Sequence, residues 1–213
     1  MAISTYTELK TAIGSWSDRA DLAATSVFDE FILLTENHFK LAPKRAVDPG
    51  IGGIRTNITR ATGTLSAGTA TLARPSDFLE GYRFILTADS GGLLEYIGPE
   101  QLRLKFRTGS GQPRYWTVSD VIEFDVVPDS AYAYQLSYYP SVTGLSGSNA
   151  SNWILANYPT VYLSGCMFEL CGYTKDANEA SNWMTRYKAL CEGINKTYER
   201  SRYSQGPIAA KVG

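Results

Sequence analysis

The sequence has no excess of charge of either sign. Its 213 residues include 20 lysines and arginines against 21 aspartates and glutamates, a formal net charge of -1. The chain therefore has no overall field that would attract nucleic acid or an anionic membrane. We expect any contact with double-stranded DNA to be local or transient, without specific binding.

Long apolar runs and targeting signals are also missing. No stretch approaches the roughly 18 apolar residues that suggest a membrane span, and residues 1–5 lack the basic and apolar regions of a secretory signal. We therefore expect synthesis in the cytosol and no membrane contact. Cys166, Cys171 and Cys191 are odd in number and lie in predicted helices, which favours reduced core thiols over disulfides.

Residues that carry chemistry are scarce. His38 is the only histidine, and it lies next to Phe39 in a predicted helix without partners at catalytic or metal-binding spacing. The sequence has no Gly-x-Ser-x-Gly elbow, His-Glu-x-x-His run or P-loop. We therefore predict no enzyme, no catalytic residues, no metal site and no cofactor.

Two weaker signals have structural explanations as well as functional ones. Glu123 and Asp125 share one face of a predicted strand, as paired glycosidase carboxylates can, but the solvated face of a hairpin explains them as well. Arg103, Lys105 and Arg107 alternate and could contact phosphates, although a solvated strand edge is the simpler interpretation.

Both ends of the chain show helical periodicity. Thr5 and Glu8 have the spacing of a capping box, which predicts a helix after Thr5. A second apolar pattern starts near Ser26 and must stop before Pro43. Near the C-terminus we predict a buried helix capped by Asn157 with Pro159 in its first turn, and a fourth helix with the most regular apolar stripe of the chain from 176 onward.

The middle of the chain favours strands separated by turns. The last predicted strand places Tyr132, Tyr134, Leu136 and Tyr138 on one face. One helical turn is predicted at residues 99–102. The predicted strands are residues 54–60, 64–73, 82–86, 93–97, 115–118, 121–127 and 131–139.

These patterns predict an α+β fold. We expect a four-helix bundle, made of two N-terminal and two C-terminal helices, with an inserted antiparallel β domain and an extended C-terminal tail. The expected segments are an N-terminal helical hairpin at 1–47, the β domain at 48–150, a C-terminal helical hairpin at 151–200 and the tail at 201–213.

Short segments spread along the chain resemble, in the same order, those of the head-to-tail adaptor (connector) proteins of tailed bacteriophages. The chain is similar to the tail tubular protein A-like and portal-docking adaptors, over roughly residues 2–200. The loops at 48–53 and 143–150 depart from that pattern. The segments that carry the resemblance are Ala2–Ile13, Trp16, Arg19–Leu22, Pro75–Glu80, Pro113–Val118, Val127–Asp129, Tyr138–Pro140, Asn152–Leu155 and Pro159–Leu163.

The resemblance implies a structural virion protein in the neck between capsid and tail, assembled in the host cytoplasm. Such a protein forms a homo-oligomeric ring of about twelve copies below the portal, binds a tail or nozzle protein and lines the DNA exit channel. In similar adaptors the C-terminal segment orders against the portal protein. The resemblance therefore implies Tyr203, Pro207, Ile208 and Val212 as portal-binding residues.

The abundant aromatic residues leave alternatives open. The 14 tyrosines and 4 tryptophans suit large subunit interfaces. They also suit a virion carbohydrate-binding or depolymerising protein that uses the β domain, or a single-stranded nucleic-acid binder. The absence of a basic excess disfavours the last of these.

Overall fold

The computed structural model describes residues 3–19, 21–22, 26–43, 52–87 and 92–203. The chain divides into two compact units. The helical unit combines the residues up to Thr56 with those from Val142 onward, and the β unit comprises Asn57 to Ser141. Each unit has its own cluster of buried apolar side chains.

Six helices and seven strands are assigned within the described residues. The helices are α1 Tyr6–Ser17, α2 Val27–Lys40, α3 Pro99–Lys105, α4 Trp153–Asn157, α5 Pro159–Thr174 and α6 Ala177–Tyr203. The strands are β1 Thr59–Leu65, β2 Thr71–Leu72, β3 Phe78–Leu86, β4 Leu93–Tyr96, β5 Tyr115–Val118, β6 Ile122–Phe124 and β7 Tyr132–Pro140.

Helix α1 begins at the predicted capping box. The Thr5 hydroxyl accepts a bond from the Glu8 amide at 3.3 Å, and the Glu8 carboxylate accepts one from the Thr5 amide at 3.0 Å. The amide of Ser4 also donates to this carboxylate, and these bonds lower the pKa of Glu8. The helix ends at Asp18 in the left-handed conformation, with φ of 51°.

Helix α5 is the centre of the helical unit, since α1, α2, α4 and α6 all contact it. It is apolar on nearly every side, which confirms the predicted buried helix. Its predicted cap is wrong. Asn157 ends α4, Tyr158 precedes α5 without a side-chain cap, and Asn152 instead caps α4 by accepting from the amides of Ile154 and Leu155.

The β unit is one seven-stranded sheet with the order β1-β7-β3-β4-β5-β6-β2. The two terminal strands, β1 and β2, are consecutive in the chain, so residues 66–70 join the ends of the sheet and draw it into a nearly closed, barrel-like form. The bend uses Gly68, whose φ is +83°. Aromatic and aliphatic side chains fill the interior, namely Leu65, Phe84, Leu86, Leu94, Trp116, Ile122, Phe124, Leu136 and Tyr138.

The predicted fold class is wrong in its architecture. Pro159 lacks an amide hydrogen, and α4 and α5 are separate helices on either side of Tyr158, so the helical unit has five described helices and is not a four-helix bundle. The sixth helix, α3, belongs to the β unit. The sheet is mixed and not purely antiparallel, because β4 and β5 pair in parallel.

Some predicted strands are displaced. The strand expected at 54–60 starts only at Thr59, because the preceding backbone bonds to side chains of α6: Asn195 contacts Arg55 and Gly53, and Arg202 donates to the Thr56 carbonyl at 2.7 Å. The strand expected at 115–118 is confirmed, as is the inward face of β7. In the described part of the chain, no helix is long and apolar enough to cross a membrane.

Candidate functional site

The structure places only part of the predicted portal-binding segment. Tyr203 is the last residue of α6, whereas Pro207, Ile208 and Val212 lie outside the described residues. Arg202, one residue earlier, is tied to the Thr56 carbonyl. The assignment of these four residues to a portal interface stays a prediction.

The helical unit exposes an aromatic patch, which we define as Trp16, Trp183 and Arg186. Trp16 is 55% exposed and meets the edge of Trp183 with ring centroids 5.9 Å apart. The Arg186 guanidinium lies 5.3 Å from the centre of the Trp183 ring. Tyr173 is also exposed. Tryptophan, tyrosine and arginine are the residues that dominate binding energy at protein interfaces.

The β unit exposes a second apolar patch, which we define as Leu104 and Phe106 at the end of α3. Leu104 on α3 is the most extreme member, with 88% of its surface exposed. Phe106 also lines a cavity of about 390 Å³ together with Ala70, Thr71, Leu102, Arg103, Glu123 and Phe124. Neighbouring exposed apolar side chains of this kind are candidates for a contact surface.

Glu123 and Asp125 do not form a pair facing a groove. Asp125 is 1% exposed, and the solvated position predicted for it is wrong. One of its oxygens accepts from the amides of Arg114 and Tyr115, and the other binds Arg107 at 2.9 Å. Glu123 alone lines the cavity, where its carboxylate accepts from the Ser119 hydroxyl.

The three alternating basic residues are not on a strand edge. Residues 99–105 form α3, so Arg103 and Lys105 lie on a helix while Arg107 follows it. Arg103 lines the cavity, Lys105 lies 3.9 Å from the centre of the Tyr115 ring, and Arg107 binds Asp125. The three cations therefore serve separate contacts and form no common strip.

His38 and the cysteines lie in the interior of the helical unit. His38 packs near the rings of Phe168 and Tyr187, and its Nε2 lies 3.3 Å from a carboxylate oxygen of Glu169. Burial lowers the pKa of His38 and raises that of Glu169. The three thiols are free and buried, as predicted, and burial raises the pKa of Cys166 to about 12.

Sequence reasoning missed a buried polar cluster around Glu36, which is 4% exposed. Its Oε1 accepts from the Leu145 amide at 2.7 Å and from the Tyr162 hydroxyl at 3.1 Å. One signal was present in the sequence: Glu36 falls on the same helix face as Phe28, Ile32 and Phe39, where an apolar residue is expected.

The buried carboxylates of Asp125 and Glu36 thus accept hydrogen bonds from groups of the protein itself. Aromatic side chains such as those of Trp16 and Phe106 are exposed at the surface. Within the described ranges, no group of three histidine, cysteine, aspartate or glutamate residues could hold a metal ion. Two units with separate cores, exposed aromatic side chains and no cluster of catalytic groups among the described residues are the features expected of a structural assembly module.

The particular family follows from comparison with family models. The model of the SU10 adaptor protein family matches residues 4–211, and the chain belongs to this family. Curated proteins give no match. The chain is therefore a structural adaptor protein of a bacteriophage. The resemblance to phage adaptors noted in the sequence is confirmed at the level of this class.

Proposed function

We propose that the protein is a head-to-tail adaptor that forms a ring below the portal, joins the capsid to the tail and lines the DNA exit channel. The observation that carries this proposal is the family match over residues 4–211. The partners in this proposal are the portal protein, a tail or nozzle protein and further copies of the chain. The proposed location is the neck of the virion, with assembly in the host cytoplasm.

The two exposed patches support a ring. A closed ring of identical subunits is built from heterologous interfaces, in which each copy uses two different surfaces. The aromatic patch around Trp16 and the apolar patch around Leu104 are different surfaces, and each lies on a different unit. Two such surfaces on one chain support a ring, in which the two surfaces of neighbouring copies would meet.

The charge of the chain supports a channel. Each lysine or arginine that neutralises a phosphate adds affinity for DNA and would slow its passage. A net charge of -1 and internally paired cations such as Arg107 avoid that affinity. We therefore infer that DNA passes the ring without being bound.

The C-terminal segment is the proposed portal anchor. We infer that Tyr203, Pro207, Ile208 and Val212 order against the portal, as in portal-docking and tail tubular protein A-like adaptors. A short terminal segment that orders on binding can cover an extended surface on its partner.

Mass analysis of the protein mixed with its cognate portal ring tests the proposal. We expect many copies to migrate with the portal and this binding to disappear when residues 204–213 are deleted. A full-length control with Pro207, Ile208 and Val212 replaced by serine separates chain length from side-chain contacts. If neither low nor high salt gives any association, the adaptor proposal is overturned.

The same purified protein tests the carbohydrate alternative. A depolymerising site needs two carboxylates in a groove, and only Glu123 lies in the cavity while Asp125 is internally bonded. Saccharide binding that is lost in Phe106→Ala and retained in Tyr82→Ala would favour the alternative, because Phe106 lines the cavity and the exposed Tyr82 does not.

A further inference from the structure

The chain returns from the β unit to the helical unit through residues 142–152, which we call the crossover segment. It contains no helix or strand. Its middle forms a small turn, in which the Ser146 amide donates to the Asn149 carbonyl at 3.0 Å and the Asn149 side chain donates to the Gly144 carbonyl at 2.6 Å. This turn is held by its own bonds, so its attachment to the helices needs separate contacts.

Glu36 supplies a central attachment. Its Oε1 accepts the Leu145 amide, and its Oε2 lies so close beneath Gly144 that a Cβ there would come within 2.9 Å of it. The carboxylate thus fits directly under the backbone of the turn. An amide–carboxylate bond with little access to water is among the stronger hydrogen bonds in proteins.

A second path joins the same carboxylate to the end of the crossover segment. The Tyr162 hydroxyl donates to Glu36 and accepts from the Asn152 side chain at 2.6 Å. The same Asn152 amide donates to the Thr143 carbonyl at 2.9 Å. Glu36 from α2 and Tyr162 from α5 therefore hold both the middle and the end of the segment.

The surface beneath these contacts is tightly packed. A Cβ on Gly165 would overlap the methyl group of Thr35, so α2 and α5 approach as closely as glycine permits. Thr35 also donates to the Phe31 carbonyl and contacts the Cys166 thiol. The crossover segment has no helix or strand of its own, and such segments open at lower free energy than the packed helices beneath them.

We propose that Glu36 is a latch: its carboxylate holds the turn of the crossover segment on α2 and α5, and its loss opens this turn while the helical core stays folded. The end of the segment has a further bond to α1, in which the Tyr6 amide donates to the Ala150 carbonyl at 2.6 Å. The inference does not depend on the proposed head-to-tail function.

Amide hydrogen exchange resolved by NMR tests the latch in the full chain. In Glu36→Ala we expect the amides of Leu145, Ser146 and Asn149 to exchange about ten- to a hundredfold faster, because a charge-assisted bond is lost. Amides inside α5, such as that of Cys166, should keep the wild-type rate. Glu36→Gln retains an acceptor and should change exchange only a few-fold. Glu30→Ala, an exposed carboxylate on the same helix, is the matched control and should change nothing.

The turn amides make the test decisive. Ser146 and Asn149 bond within the turn and not to Glu36, so their faster exchange requires that the turn itself opens. Acceleration of Leu145 alone would mean a single local bond and would overturn the latch. An equal acceleration in α5 would mean that Glu36 supports the entire helical core, which also overturns it.

Discussion

Asp125 and Glu36 are buried carboxylates with opposite surroundings. Asp125 meets a guanidinium and two backbone amides, so its charge is compensated. Glu36 meets an amide and a hydroxyl, and burial raises its pKa above the ordinary value of 4.5. Removing either should be costly, and the raised pKa of Glu36 should also make stability depend on pH.

Asp125→Ala should lower the free energy of unfolding of the β unit by about 3 kcal/mol, because Arg107 and two amides lose their acceptor. Urea denaturation followed by tryptophan fluorescence measures it, since Trp116 lies in the β-unit core. The matched control is Asp120→Ala in the exposed turn, with a change within about 0.5 kcal/mol. A similar change in both variants would contradict the role given to Asp125.

Glu36→Gln should gain stability relative to wild type as the pH rises above about 4.5. The folded protein binds the Glu36 proton more tightly than the unfolded chain does, because the folded pKa is raised. This contribution is fully present below the unfolded pKa and is lost as the pH rises through the folded pKa. Melting temperatures of both proteins between pH 5 and pH 8 measure the difference.

The neighbours of Glu36 keep this experiment interpretable. Lys40 favours the charged carboxylate, while Tyr6, Tyr162 and Cys166 stay neutral over this range because their pKa values are raised by burial. His38 has the opposite pH dependence, since its lowered pKa favours folding at higher pH. Both proteins contain His38, so its effect cancels. A pH-independent difference would contradict the prediction.

Local sequence identified the residues whose role is local. The Thr5–Glu8 capping box is confirmed because both partners lie within one turn. Glu36 and Asp125 were missed or misplaced because their partners, Leu145 and Arg107, are brought to them by the tertiary fold. Sequence spacing carries no record of such contacts.

Among the elements, the crossing of α2 and α5 gives the sharpest prediction. Gly165→Ala should destabilise the helical unit by about 2 kcal/mol, because the added methyl group overlaps the Thr35 side chain. Thermal unfolding followed by circular dichroism measures this. Gly172→Ala in the same helix meets nothing within 4 Å and should instead be neutral or stabilising.

A double variant tests the cause of the Gly165→Ala effect. Replacing Thr35 by alanine removes the overlapped methyl group, so Thr35→Ala/Gly165→Ala should recover part of the loss caused by Gly165→Ala alone. Strictly additive losses would show that Thr35 is not the obstacle.

Periodicity predicted the long helices well and the short elements poorly. Helices α1, α2 and α6 follow apolar stripes, and α2 ends before Pro43 as expected. Helix α3 continues to Lys105, beyond the predicted turn. Arg103 and Lys105 therefore lie on a helix and not on the strand edge that their alternation suggested. The parallel pairing of β4 with β5 could not be predicted from the alternation of apolar and polar residues, because the tertiary fold decides the direction in which strands pair.

For the whole molecule, the two separate cores predict independent stability. Asp125→Ala should lower hydrogen-exchange protection across residues 57–141 and leave α5 unchanged, while Gly165→Ala should do the reverse. Exchange in mild urea followed by mass spectrometry measures both. Loss of protection throughout the chain in either variant would show a single cooperative unit instead.

At the level of the whole chain, the sequence was more informative about family than about architecture. The ordered segments from Ala2 to Leu163 indicated phage adaptors, which the match over residues 4–211 supports. The same sequence led to a wrong four-helix bundle, because Asn157 was predicted to cap the third helix, whereas residues Trp153–Asn157 form a separate helix before it.

The position of the β unit within the chain has a consequence for synthesis on the ribosome. Strand β1 needs β7, which is made more than sixty residues later, and α1 and α2 need α5, which follows still later. The helices α1 and α2 emerge from the ribosome first, and their apolar faces stay exposed until α5 has been made. At roughly 5–20 residues per second, this interval lasts many seconds. The N-terminal helices are therefore where a chaperone would be needed first.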